Sequence, residues 1–289
     1  MKTPSQQVAM LCMLGAMLSY QASASFAKYL FVQLDPTSIT ALRLLFATIL
    51  IVIFLRSWRI FAQRGSIVWR DVFCYGLALG MMNLTFYHAL HRLPQGVAVG
   101  LEFIGPLGVA MLSIQQRKDA IWVLCAIVGI VFLMPWSAEH HISWLGVCFA
   151  LSAGLCWGIY IYFGQRIVQQ NLGLHGLSLG LLLATMIFFP IGLWNNAEHV
   201  LNTQYWRHAL GLAVLATAIP YILDLYALKS LSKLHYGTLT SLSPAVATLM
   251  GMLLLREYLS WIQCIAIGCI MVASIGVSWQ AGRKKAKKI

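Results

Sequence analysis

Long apolar runs alternate with short polar breaks along this chain. Reading them off gives ten segments, at about 8–30, 37–55, 72–90, 94–114, 120–136, 143–164, 175–194, 208–228, 234–255 and 260–280. A membrane span takes roughly 20 predominantly apolar residues, so each segment predicts one transmembrane helix. Tryptophans such as Trp58, Trp69, Trp136, Trp194 and Trp261 lie near segment ends, as an interfacial aromatic belt requires. Trp157 lies well inside its segment.

The second half repeats the first. At an offset of 137, Tyr20 meets Trp157, Phe26 meets Phe163, and Ala47-Thr48 meets Ala184-Thr185. At 138, Ala89-Leu90 meets Ala227-Leu228 and Pro106 meets Pro244; at 139, Trp122, Cys125 and Gly129 meet Trp261, Cys264 and Gly268. Each half therefore holds five spans. An odd number reverses orientation, which predicts an all-α integral membrane protein of ten transmembrane helices arranged as two inverted five-helix repeats. The halves cover residues 1–138 and 139–282, followed by a basic tail, 283–289. Inverted repeats characterise secondary transporters, whose site lies near the bilayer midplane between the halves.

Composition fits that reading. Of 289 residues, 60% are hydrophobic and 10% charged, with mean hydropathy +0.78; soluble domains average about a quarter charged residues. Ten spans leave room for short loops and no soluble catalytic domain. The net charge of +12 sits in clusters between apolar runs, which orients a membrane protein and does not signal nucleic acid. With both termini cytoplasmic, outer loops hold only Arg92, Arg207 and Arg256 of the 20 basic residues, and Lys28 and Arg43 lie within spans. The first segment has some features of a signal peptide, but it belongs to the repeat and is expected to be retained. The seven cysteines lie in apolar runs without Cys-x-x-Cys spacing, which indicates small buried hydrophobes and neither disulfides nor a metal.

A charge at the bilayer centre costs at least about 2.5–3.5 kcal/mol on insertion scales, so it faces a cavity or a partner. Glu102, near the middle of the fourth span, is the leading candidate. It shares a helical face with Ala98, Gly105 and Pro106. Arg43 lies in the outer half of the second span, and Asp224 in the inner half of the eighth, one turn from Pro220 and Tyr221. His88 and Trp157 complete the candidate set. Each has a plainer reading: Arg43 and Glu102 as a static ion pair, His88 as an interhelical hydrogen bond, Asp224 as a hydrated group, and Lys28 as a side chain snorkelling to headgroups. In the functional reading, guanidinium and carboxylate together complement a zwitterion, and a buried carboxyl exchanges a proton for a cationic amine. Pro106 and Pro244 free backbone carbonyls and are candidate hinges. Gly176-Leu-Ser178-Leu-Gly180 matches G-x-S-x-G, so an intramembrane serine hydrolase using Ser178 and His88 is a distant alternative; a non-transporting scaffold is another. No Walker A, H-E-x-x-H or G-x-G-x-x-G pattern occurs, and no cofactor is expected.

Several stretches carry a family resemblance: Thr40-Ala-Leu-Arg-Leu44, Tyr75-Gly-Leu-Ala-Leu-Gly-Met-Met-Asn83, Leu101-Glu-Phe-Ile-Gly-Pro-Leu107, Cys156-Trp-Gly-Ile-Tyr160 and Ala218-Ile-Pro-Tyr221. In these the chain resembles the threonine/homoserine exporters of the bacterial inner membrane, a branch of the drug/metabolite transporter superfamily built from EamA-type repeats. The resemblance implies a central cavity and efflux of small amino acids in exchange for protons. The sequence departs from that pattern at Ser243 and Asp224, where the family carries glutamate; another metabolite or drug is the alternative substrate.

Overall fold

In the computed structural model, residues 6–57, 67–112, 120–133, 143–170, 172–231 and 233–286 are described. Among them the chain is helical between short turns: α1 (Gln6–Leu30), α2 (Pro36–Leu55), α3 (Trp69–Arg92), α4 (Gln95–Glu102), α5 (Ile104–Leu112), α6 (Ala120–Leu133), α7 (Trp144–Gln169), α8 (Gly173–Leu201), α9 (Thr203–Ala213), α10 (Ile219–Ser230), α11 (Lys233–Thr240), α12 (Ser243–Leu255) and α13 (Trp261–Ala286). A π-helical stretch, Val214–Ala218, joins α9 to α10. Trp58 and Trp136 lie outside the described residues, as do Lys287 and Lys288 of the tail; α13 continues to Ala286, so the tail begins as helix.

Six helices are long and apolar enough to cross a membrane: Gln7–Leu30, Pro36–Leu55, Trp144–Gln169, His175–Leu201, Thr203–Asp224 and Thr238–Leu255. Gln95–Val109, Leu124–Leu133 and Trp261–Val277 are shorter apolar stretches. The 24-residue α3 is more polar, because it carries Arg70, Asp71, Asn83, His88, His91 and Arg92. Large apolar side chains such as Leu124, Met186, Leu253 and Ile265 lie exposed on the outside of the bundle, where acyl chains rather than water suit them. None of the seven cysteines is fully buried, contrary to expectation.

Proline sets the breaks. A proline cannot donate to the residue four before it, and its ring crowds that carbonyl. Four before Pro106 is Glu102, where α4 ends; four before Pro244 is Thr240, where α11 ends. Pro220 follows the π-helical stretch, whose bonds reach back five residues, and this frees the Leu215 carbonyl. Ser19 of α1 donates to that carbonyl at 2.6 Å. The start of α2 is equally determined: Pro36 stands at its first position, and Asp35 accepts from the Ser38 backbone N–H at 3.0 Å and from its hydroxyl at 2.6 Å.

Helix pairs then assemble from opposite halves of the chain. α2 lies along α8, α3 along α7 and α8, α1 along α10, α2 along α9, α4 along α12 and α6 along α13. Where α2 crosses α8, the Thr48 and Thr185 hydroxyls share a hydrogen bond of 2.7 Å beside buried Ala47 and Ala184. In lipid, close packing of small residues and interhelical hydrogen bonds drive such association. The Gly76 backbone of α3 faces Gly180 of α8, so closely that a Cβ there would lie 2.8 Å from the Gly180 carbonyl.

Lys28, Asp35, Gln95 and Glu257 lie at one end of the bundle, and Asp71 and Arg166 at the other. At the Asp71 end, α3 and α7 are joined by charge. The buried Asp71 carboxylate accepts from Arg166 Nε at 3.0 Å and from Gln170 Nε2 at 3.0 Å. Removing the carboxylate takes the acceptor from both Arg166 and Gln170, so Asp71→Ala is expected to destabilise the protein by roughly 1–3 kcal/mol. A lowered midpoint of thermal unfolding in detergent checks this; an unchanged midpoint makes the network ornamental.

Candidate functional site

Arg43 lies two turns into α2, facing α3. Its guanidinium donates to Asn83 Oδ1 and sits 5.5 Å from the Tyr87 ring centre. Asn83 is oriented for this, because its Nδ2 donates to the Leu79 carbonyl at 2.7 Å and leaves Oδ1 toward the arginine. Arg43 Nε is buried and has no hydrogen-bond partner among the described residues. A guanidinium offers five donors, and an unsatisfied one in dry surroundings is unfavourable. A carboxylate-bearing ligand would satisfy it.

Glu102 is placed by the Pro106 break. It is the last residue of α4, 8% exposed, and among the described residues its carboxylate has neither hydrogen bond nor ion pair. Glu102 lies in the electrostatic field of Arg43, yet the two are not joined. The static ion pair considered from sequence is therefore absent, because Asn83 occupies the guanidinium instead. Beneath Glu102, α7 comes close: a Cβ on Gly154 would lie 2.6 Å from the Glu102 carbonyl oxygen, so only glycine permits this approach. One turn further along α7, Trp157 meets Phe103 edge-on at 5.8 Å.

Toward the Asp71 end, the wall becomes aromatic. Asp224 of α10 interacts electrostatically with Tyr20 of α1, Tyr160 of α7 and Tyr236 of α11, and Arg43 also acts on Tyr20. Tyr20 keeps 41% of its surface accessible and lies within the electrostatic reach of groups on α2, α7, α10 and α11. Tyr160 stacks on Tyr75 at 4.7 Å. The Tyr221 hydroxyl is buried without a partner among the described residues. Arg43 thus lies within electrostatic reach of Glu102 and, with Asp224, of Tyr20, while the unpartnered Tyr221 hydroxyl lies within reach of Tyr160.

His88 stands apart from these groups. Its Nε2 lies 3.2 Å from Thr37 Oγ1, its Nδ1 3.4 Å from Arg92, and its ring stacks on Phe149 at 5.0 Å. These contacts make the interhelical tie that sequence offered as the plainer reading. Lys28 does not snorkel: it pairs with Glu257. The serine-hydrolase alternative falls on geometry, because Ser178 is buried and accepts at 2.6 Å from Ser57, near the opposite end of the bundle from His88. No group of three or more His, Cys, Asp or Glu residues able to hold a metal occurs among the described residues.

The EamA-like transporter family model matches this chain twice, over residues 7–134 and 144–279. The chain belongs to the EamA-like transporter family. Its relatives include the threonine/homoserine exporter RhtA of Escherichia coli K12, 40% identical over 277 residues, which are 95% of this chain and 92% of the relative. The exporter of the same name from Salmonella typhimurium LT2 is 40% identical over 92% of this chain and 90% of its own length. An uncharacterised transporter of Archaeoglobus fulgidus is 25% identical over 71% of this chain and 76% of its own. A crystal structure with 17% identity superposes with a TM-score of 0.62, covering 96% of this chain and 99% of its own, and so shares the fold. This EamA-family chain is a multi-pass membrane transporter, not an enzyme.

Sequence reasoning reached Arg43, Glu102, Asp224, Tyr221 and Trp157 but passed over Asn83, Tyr87, Tyr20, Tyr160 and Tyr236. Asn83 was legible in principle: it lies inside an apolar run, where an amide needs a partner. The tyrosines carried no comparable signal.

Proposed function

We propose that this protein exports small amino acids of the threonine/homoserine kind across the bacterial inner membrane, exchanging them for protons by alternating access. The observation that carries this reading is the unpaired polarity of the interior. Arg43, Glu102 and Asp224 are held within spans, near one another in charge and unbonded to one another. Such an arrangement is costly when empty and complementary to a zwitterion. Arg43, oriented by Asn83, takes the substrate carboxylate, Glu102 or Asp224 takes the ammonium or a proton, and Tyr221 and Trp157 shape the cavity. Two relatives at 40% identity bear the name threonine/homoserine exporter, which supports the substrate class.

The architecture in this reading is ten spans in two inverted repeats, 1–138 and 139–282, with the basic tail 283–289 and both termini cytoplasmic. The packing supports it. A two-fold axis in the membrane plane exchanges the third span with the eighth and the sixth with the first, so the α3–α7 contact should recur as α1–α10, and it does. The α3–α8 contact recurs as α2–α9 in the same way. Thr48 and Thr185, equivalents 137 residues apart, touch each other, as residues beside such an axis would. Pro106 and Pro244 break equivalent spans at equivalent places and serve as the hinges.

The test is efflux from proteoliposomes loaded with a panel of amino acids, with the external medium made two pH units more acid. Threonine and homoserine are expected to leave faster under the gradient than without it. Release of a different solute would reassign the substrate, whereas release of nothing would remove the exporter reading.

A further inference from the structure

At the Lys28 end a polar knot closes the bundle, and the substrate groups do not use it. Lys28, in the last turns of α1, pairs with Glu257 of the α12–α13 connection and donates to the Leu93 carbonyl just beyond α3. The second Glu257 oxygen accepts at 2.7 Å from the backbone N–H of Gln95, the first residue of α4. That N–H is one of the donors a helix start leaves without an internal partner, and Pro94 before it supplies no side-chain cap. The helix dipole favours a carboxylate there as well. The fully buried Gln95 side chain turns to α1: its Nε2 donates to the Gln21 carbonyl at 2.9 Å, and Ser25 Oγ donates to its Oε1 at 2.7 Å.

The connection that carries Glu257 is itself shaped for delivery. Arg256 adopts the left-handed conformation, with φ of 56°, and the Glu257 N–H returns at 3.1 Å to the Gly251 carbonyl. A Cβ on Gly251 would lie 2.9 Å from Glu257 Oε2, so glycine keeps that space clear.

Gln95 stands two turns above Glu102 on the same helical face, about 10 Å at 1.5 Å per residue. Between them in sequence Ala98 and Leu101 are fully buried, so packed side chains separate the knot from Glu102. Lys28 and Glu257 side chains nevertheless keep 20% and 17% exposure. Breaking a fully buried pair leaves charges stranded, whereas charges at a mouth are rehydrated as it opens.

We propose that the Lys28–Glu257 pair, anchored on Gln95, is the latch of the outer gate: closed as seen here, and broken each time this end opens. The proposal rests on the exporter reading above and assigns that cycle its outer closing contact.

The test uses Ala24→Cys, one turn below Lys28 and 5% exposed as alanine, in the otherwise native protein. A membrane-impermeant maleimide is applied outside intact cells, and labelling is read on the peptide that contains residue 24. With the latch intact labelling is slow; in Lys28→Met and in Glu257→Gln it is expected to be at least about fivefold faster, as the population shifts toward the open end. Unchanged labelling in both variants, with an unaltered size-exclusion profile, overturns the latch. Should both fail to fold, Lys28→Cys/Glu257→Cys bridged by a short thiol cross-linker replaces them. The bridge is expected to stop efflux, and efflux that continues through it overturns the proposal. Faster labelling in a protein that releases no amino acid keeps the latch and removes the exporter reading; normal release without any labelling change does the reverse.

Discussion

Arg43→Met is expected to lower amino-acid export at least about 100-fold while folded protein still accumulates in the membrane. Two charge-assisted hydrogen bonds to a substrate carboxylate are worth about 3–6 kcal/mol together, and methionine supplies neither. Folding should survive because the substitution removes a charge from an apolar span. The loss falls on Asn83 Oδ1, which gives up its guanidinium partner, an effect of about 1–3 kcal/mol; Arg43→Met/Asn83→Leu removes that orphan as well. Arg43→Lys separates charge from geometry. A lysine ammonium keeps the charge but not the planar fork, so export should return in part, with a raised KM. The assay is the initial rate of threonine efflux from proteoliposomes of equal protein content. Wild-type rates in Arg43→Met would leave the guanidinium a structural role and detach substrate recognition from α2.

The boundary between what was legible and what was not follows the range of the interactions. Helix breaks are local: Pro106 and Pro244 act on carbonyls four residues back, and α4 and α11 end there. Charges inside apolar runs are local too, since a single residue in such a run announces its cost, and Arg43, Glu102 and Asp224 were found this way. Partners are not local. Glu257 lies in a short connection, where a carboxylate needs no explanation, and only folding brings it to Lys28. Lys28 near a span end fitted headgroup hydration equally well, and the choice was decided by the Glu257 carboxylate and the Leu93 carbonyl. Tyr20 carries a hydroxyl that suits an interface and a ring that suits a core, so its accessible place beside Asp224 left no trace in hydropathy. His88 shows the opposite case: a titratable side chain in a span admits both a chemical and an interhelical reading, and its contacts with Thr37, Arg92 and Phe149 are those of the interhelical one.

Glu102→Gln is expected to abolish the response to a pH gradient while substrate still exchanges down its own gradient, with a raised KM because the neutral amide no longer holds the ammonium. The amide has nearly the shape of the protonated acid, so helix α4, its close approach to Gly154 and the Pro106 break remain as they are; the amide simply cannot release a proton. A gradient of two pH units is worth about 2.7 kcal/mol per proton exchanged, equivalent to about a 100-fold concentration ratio of substrate. That ratio is what the variant should lose. Asp224→Asn is the comparison, because its carboxyl acts electrostatically on Tyr20, Tyr160 and Tyr236, whereas Glu102 lies in the field of Arg43. If Glu102 carries the proton, Asp224→Asn alters KM and leaves gradient-driven efflux in place. If Glu102→Gln still responds to the gradient and Asp224→Asn does not, the roles are exchanged. The comparison is informative because only Glu102 stands at a helix break two turns below the proposed outer gate. A proton entering from the acid side through that gate would meet Glu102 before reaching the tyrosine-lined end, and its arrival would neutralise the carboxylate that holds the substrate ammonium. Proton entry and substrate release would then be one event at one side chain.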